Sequence, residues 1–325
     1  MIRFLLRRVL GATVILLVIS AVTFLLFYSI PRDPARLACG KTCDPESLAM
    51  IRASLGVDRP VPVQYWEYLV GIFAGRDFAA GPCPAPCLGY SFRDQSPVLE
   101  TILDRVPTTA SLALGGAVVF LTVGLALGMI AARNQGNLVD KGLSSLSLVM
   151  SSMQIYLVGP LVLAVFVYHL QLLPSPRYVD LTEDPVGWFK GLLVPWLVMS
   201  IIFTAAYTRM ARSTLVEQLR EDHVRTARAK GMSGRTVFFR HAWRGSLIPI
   251  VTILGVDLGS LFGGAMVTEF TFALPGLGRL AVNSVTQTDL PMLMGVMLFA
   301  AAMIIAFNIL VDAVYAWIDP RIRLS

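Results

Sequence analysis

The groups able to do chemistry are few and far apart in this 325-residue chain. Cys39 and Cys43, then Cys83 and Cys87, form two C-x3-C pairs. His169, His223 and His241 are scattered, and no His-Glu-x-x-His metal-hydrolase pattern occurs. Gly40-Lys41-Thr42 imitates the end of a phosphate-binding loop, but that motif needs glycine at position 35, which is Ala35. Two features remain. Asp257 is a carboxylate inside a long apolar run, and nine of the 27 lysines and arginines crowd between Arg209 and Pro249. A carboxylate at membrane depth is costly and marks a functional position by default; pairing with a base, or protonation, is the structural alternative.

The basic stretch reads as helix, stop and helix. Leu215, Leu219 and Val224 recur at roughly helical spacing, and Arg225 to Lys230 place cations near the negative end of that first helix. Gly231 stands where a left-handed C-terminal cap belongs, and Ser233 is placed to cap the next helix. One reading is a basic loop held on the cytosolic side by the positive-inside rule. The sharper reading is a stiff docking elbow.

The elements that must position these groups follow from composition. Hydrophobic residues make up 55% of the chain and charged residues only 15%, against about a quarter in soluble domains. Several nearly charge-free runs reach the roughly 20 residues that cross a bilayer. The reading is an integral membrane protein, and its net charge of +6 requires no nucleic acid partner.

Arg3, Arg7 and Arg8 precede a first apolar run over residues 9–30, which lacks a signal-peptide cleavage site. Residues 31–106 are too polar to span and hold all four cysteines, with helices expected from Asp44 to Gly56 and from Val63 to Phe73. In an oxidising compartment, disulfides are expected there. Two short C-x3-C bridges are compatible with the spacing, while cross-pairing would close loops of roughly 40 residues worth about 4 kcal/mol. A four-cysteine zinc site is the minority reading.

Further spans are expected over residues 108–132, 143–172, 191–210, 247–272 and 292–317. Gly124 and Gly128 predict a close helix contact, and so do Gly255, Gly259 and Gly263. Gly159-Pro160 predicts a kink. Ser151, Ser152, Gln154 and Tyr156 give the third span a polar half, suited to an aqueous path or to bonds between helices. Six helices with both termini in the cytosol agree with the charges: sixteen lysines and arginines fall inside, and three in the short outer loops.

Arg225-Thr226-Ala227-Arg228-Ala229-Lys230-Gly231, with Arg240-His241-Ala242 and Pro249, resembles the permease subunits of ABC importers, in particular their dipeptide, oligopeptide and nickel branch. The superfamily pattern is Glu-Ala-Ala-x3-Gly; Ala227 and Gly231 match it, whereas Arg225 and Thr226 replace the Glu and first Ala, as is usual for the peptide branch. Leu55-Gly56-Val57-Asp58-Arg59-Pro60, Gly89-Tyr90-Ser91-Phe92, Glu269 through Pro275-Gly276-Leu277-Gly278, and Asp319-Pro320-Arg321 extend the resemblance over nearly the whole chain. The cysteine-bearing insertions, the long outer segment and the charge at Asp257 depart from the family.

The resemblance implies a type I importer permease fold: all-α, six transmembrane helices, an extracytoplasmic segment between the first two. Its parts are residues 1–30, residues 31–106, and a five-helix core over residues 107–325 with a coupling loop at 212–246. It implies a multi-pass protein of the bacterial cytoplasmic (inner) membrane, forming half of a channel for dipeptides or oligopeptides. Nickel chelates or glutathione-like compounds are the alternative cargo. The expected partners are a second homologous permease, two ATP-binding subunits carrying ATP and magnesium, an extracytoplasmic binding protein and lipid. This chain itself would hold no cofactor or metal and hydrolyse nothing. Glu221, Arg225, Ala227, Arg228, Lys230 and Gly231 would couple to the ATPase. Gln154, Asp257 and Glu269 would line the translocation path. The rival classes are a proton-coupled secondary transporter using Asp257 and, weaker still, a membrane-embedded hydrolase.

Overall fold

The computed structural model describes residues 2–29, 35–36, 44–45, 48–49, 52, 59–78, 81–91 and 93–318. Long helices dominate: α1 (Ile2–Ser29), α2 (Val61–Ala74), α3 (Val98–Arg133), α4 (Leu138–Ser152), α5 (Ile155–His169, π-helical from Leu163), α6 (Pro185–Gln218), α7 (Asp222–Ala229), α8 (Gly234–Phe262), α9 (Met266–Thr271), α10 (Leu277–Thr286) and α11 (Leu290–Ile318). A two-stranded antiparallel hairpin, β1 (Arg76–Phe78) and β2 (Gly81–Cys83), pairs Asp77 with Pro82. Among the described residues, four helices, α3, α6, α8 and α11, are long and apolar enough to cross a membrane, and the bent pair α4–α5 makes five. At 36 residues, α3 measures about 54 Å, well beyond a hydrocarbon core of about 30 Å.

Backbone proximity holds the centre together. A Cβ on Gly124 would lie 2.9 Å from the Tyr207 Cβ, and one on Gly128 would lie 2.6 Å from the Ala211 Cβ, so the expected close contact is α3 on α6. Hydroxyls bridge the same seam: Ser200 Oγ donates to the Gly116 carbonyl and Thr208 Oγ1 to that of Gly124, both at 3.2 Å. Gly259 and Gly263 do the same for α8 on α11, meeting Ile304, Phe307 and Ala300. Where no water competes, small residues that admit close backbones are the main source of helix adhesion. Phe24 of α1 packs with Tyr68 of α2 and with Met294 and Leu298 of α11.

Three boundaries differ from expectation. The third span bends by 93° between α4 and α5, not at Gly159-Pro160. Met153 and Gln154 are both extended there. Just before the break, Ser152 Oγ turns back on the Leu148 carbonyl and Ser147 Oγ on that of Ser144, the competition with helical pairing that short polar side chains offer. Pro160 instead lies within α5, which passes into π-helix three residues later.

The fifth span ends at Phe262 rather than residue 272. Gly264 adopts φ +128, and a Cβ there would come within 3.0 Å of the Gly278 backbone, so the chain turns and Glu269 falls on the separate helix α9. The basic helix also divides. A turn at Leu219 to Glu221 folds α7 back, which buries Val224 and Ala227 against Leu215, Ala132, Val237 and Ala242. A straight continuation through Arg220-Glu221-Asp222-His223 would leave those apolar side chains without cover.

Cys83 and Cys87 form a disulfide, one of the two short bridges the spacing allows. Cys39 and Cys43, and most of the helix expected from Asp44, lie outside the described residues. Just beyond the bridge the chain is tied to the start of α11: the Ser91 hydroxyl donates to the buried Asp289 carboxylate.

Candidate functional site

The basic elbow is a short helix closed at its C-terminus and followed at once by the capped start of α8. The Gly231 N–H donates to the Arg228 carbonyl at 2.9 Å and the Met232 N–H to that of Ala227 at 3.3 Å. With Gly231 at φ +76, this is the Schellman closure expected of that glycine. Ser233 Oγ then accepts from the Thr236 N–H at 3.3 Å and starts α8. Of the candidate elbow residues, Ala227 is buried and faces the chain's own core, while Glu221, Arg225, Arg228, Lys230 and Gly231 are exposed. Arg225 and Asp222 approach only to 3.8 Å, an exposed pair of little energetic weight. The outer face is therefore a rigid backbone carrying unspent cations, with Met232 and Phe239 exposed beside them.

The elbow is tied to the bundle by a pair that sequence reasoning missed. Arg212 near the end of α6 forks onto Asp140 of α4, with Nη2 donating to Oδ2 at 2.7 Å and Nε to Oδ1. The Gly136 N–H adds a 2.9 Å bond to the same carboxylate. Asp140 is buried, so this fork is the compensation that lets it stay charged. Arg209 reaches α4 as well, donating to the Ser147 carbonyl at 3.0 Å and to Ser151 Oγ. Between α6 and the elbow lies an open cavity of about 510 Å³ lined by Arg212, Glu217, Arg220, Glu221 and Asp222 among others. An acid at the head of a helix amid cations was the one available signal for Asp140; its partner lies 72 residues away.

The three path candidates fare differently. Gln154 is exposed at the α4–α5 break, where its carbonyl starts α5. Asp257 is half-buried on α8 and accepts from the Tyr207 hydroxyl at 2.9 Å, so its partner is a phenol rather than a base. Tyr207 in turn packs on Phe120, with ring centroids 5.0 Å apart. Glu269, expected to face the path, is fully buried within the chain. Its Oε1 accepts from Thr109 Oγ1 at 2.8 Å and its Oε2 from the Arg279 N–H at 3.0 Å, while the Leu277 N–H donates to the same threonine at 2.9 Å. Gly276 is glycine because a Cβ would sit 2.3 Å from that carboxylate. Glu269 thus locks α3, α9 and the N-terminus of α10 into one unit, its carboxyl oxygens accepting at the N-terminal end of a helix. Among the described residues, none of the three candidates hydrogen-bonds to another. Thr109 and Tyr207 carried no sequence signal, since they lie 160 and 50 residues from their partners.

Comparison with known proteins gives matches over almost the whole chain. Residues 124–324 match the family described as binding-protein-dependent transport system inner membrane component, and residues 1–113 match the N-terminal membrane component of such systems. A putative peptide transport system permease protein of Brucella abortus (strain 2308) is 36% identical over 318 residues, covering 98% of each chain. A probable peptide ABC transporter permease protein of Sinorhizobium fredii is 31% identical over 98% of this chain and 99% of its own. The glutathione transport system permease protein GsiC of Salmonella typhi is 34% identical over 99% of each.

Proposed function

The chain belongs to the family of binding-protein-dependent transport system inner membrane components, and from that premise we propose that it forms half of the channel of an ATP-driven importer of short peptides. It is a multi-pass protein of the bacterial inner membrane and a transport subunit, not an ATPase. The observation that carries the peptide reading is the 36% identity over 98% of both chains with a peptide permease. The 34% identity to a glutathione permease supports a second cargo, itself a short peptide-like acid.

In this reading α1, α3, α4–α5, α6, α8 and α11 are the six spans of a type I permease. Both termini and α7 lie in the cytosol, and residues 31–106 lie outside. A second, homologous permease completes the channel, an extracytoplasmic binding protein delivers the cargo, and two cytosolic subunits bind ATP with magnesium. The exposed face of Glu221, Arg225, Arg228, Lys230 and Gly231 seats on one of those subunits, with Ala227 anchoring the helix from beneath. When the ATPase pair closes, the displaced elbow carries α6 and α8 with it, because both helices run directly into it. The Arg212–Asp140 fork passes the movement to α4. Gln154 and Asp257 line the path; Glu269 braces it from within.

Reconstitution of the full importer in proteoliposomes tests this. Labelled trialanine should accumulate only with ATP, binding protein and both permeases present. Uptake of glutathione alone would replace the peptide reading, and uptake without an ATPase would remove it.

A further inference from the structure

A small basic cavity opens at the end of the bundle opposite the elbow. It measures about 210 Å³ and is lined by Arg105 of α3, Pro275, Gly276, and Arg279, Leu280 and Asn283 of α10. Arg105 lies 28 residues before Arg133, which is about 42 Å along α3 and more than a bilayer core, so the cavity and the elbow belong to opposite faces. No carboxylate lines it. Among the described residues, no hydrogen bond or ion pair reaches the Arg105 guanidinium or the Asn283 carboxamide. Arg279 donates one edge to the Ala273 carbonyl and keeps the rest of its fork. Glu269, behind the Gly276 side of the wall, is fully buried and has both oxygens committed to Thr109 Oγ1 and the Arg279 N–H.

Two guanidiniums and an amide turned into one recess, without an anion of their own, make a receptor for a planar carboxylate, which arginine binds through two parallel bonds. The volume is below the roughly 300–1,000 Å³ of pockets that enclose a whole small molecule, so the recess takes an end group. We infer that Arg105, Arg279 and Asn283 form a subsite for the C-terminal carboxylate of the incoming peptide at the outer mouth of the channel. This rests on the peptide-importer reading, and it names the chemical group the permease itself selects. Glu269 holds the first turn of α10 against α3 and so fixes the spacing of the two arginines.

The test uses the complete reconstituted importer with trialanine as the free acid and as its C-terminal amide. In Arg105→Gln, KM for the free acid should rise about tenfold, the loss of one charge-assisted contact, with maximal rate within about twofold. KM for the amide should stay put, so that discrimination between the two collapses. Asn283→Ala should move the same ratio less, and Arg105→Lys, which keeps the charge but loses the fork, should fall between. These milder variants decide the matter if Arg105→Gln fails to assemble. The same peptides, titrated onto the solubilised complex without binding protein, should stabilise wild type as the acid and not as the amide. Equal losses for acid and amide, or no change for either, would overturn the inference while leaving the importer intact. Weakened docking of substrate-free binding protein to Arg105→Gln would overturn it too, placing that protein's acidic side chain in the recess. Failure of wild type to import either peptide would remove the peptide reading itself, and this subsite with it.

Discussion

Gly231 separates backbone geometry from side-chain contact more cleanly than any other elbow position. Its φ is +76, yet a Cβ built there meets nothing within 4 Å in this chain. Any penalty for a side chain is therefore conformational. Forcing an L-residue into the left-handed region costs roughly 1–2 kcal/mol, more for a β-branched residue, while asparagine tolerates it. Against a folding stability of about 5–15 kcal/mol this should leave the protein folded and inserted. It is still enough to open the Schellman closure, since about 1.4 kcal/mol shifts an equilibrium tenfold. Gly231→Val should therefore cut ATP-driven uptake about tenfold, Gly231→Ala should be intermediate, and Gly231→Asn should stay within about twofold of wild type. Uptake in proteoliposomes gives the rates, and co-purification of the ATPase subunits shows whether docking survives. Full uptake by the valine variant would sink the claim that the elbow acts as a rigid lever. Equal damage from asparagine and valine would move the cause from φ to a partner surface pressed against the glycine.

Two other perturbations probe the buried charges. Arg212→Ala should destabilise by about 3 kcal/mol because Asp140 is left buried without its fork. The double variant Asp140→Ala/Arg212→Ala should recover much of that loss in thermal unfolding of the purified complex, and strict additivity would refute the coupling. Glu269→Gln keeps the shape but sets its amide NH2 either against the Arg279 N–H, donor facing donor, or against Thr109 Oγ1, which then loses the acceptor for its own hydroxyl. It should lower stability by about 1–3 kcal/mol; an unfolding midpoint equal to wild type would mean that the α3–α9–α10 lock does not hold the mouth together.

Much of the architecture was legible because it is written in local pattern. Among the described residues, apolar run length marked the four membrane-length helices and the bent α4–α5 pair, glycines four apart marked the α3–α6 and α8–α11 seams, and Gly231 and Ser233 announced the two caps of the elbow. Each of these depends on interactions within a helical turn or on the bare backbone of one residue. The bend falls at Met153 and Gln154 rather than at Gly159-Pro160, because serine hydroxyls before it compete for the helical backbone, a weaker local signal than a proline. Neighbouring sequence points Glu269 toward the path; in the folded chain it is fully buried, with its oxygens on Thr109 Oγ1 and the Arg279 N–H.

The sequence by itself determined that this chain crosses a membrane several times and carries a cationic, glycine-hinged elbow on one side. Period, charge asymmetry and capping residues act over a few positions, so they can be read from a string. Tertiary structure alone decided that Arg212 meets Asp140, that Thr109 meets Glu269, and that Arg105 converges with Arg279 on one recess. Those pairings join helices far apart along the chain. What selects them is the close approach of particular backbones, together with the cost of leaving a buried charge or polar group unanswered.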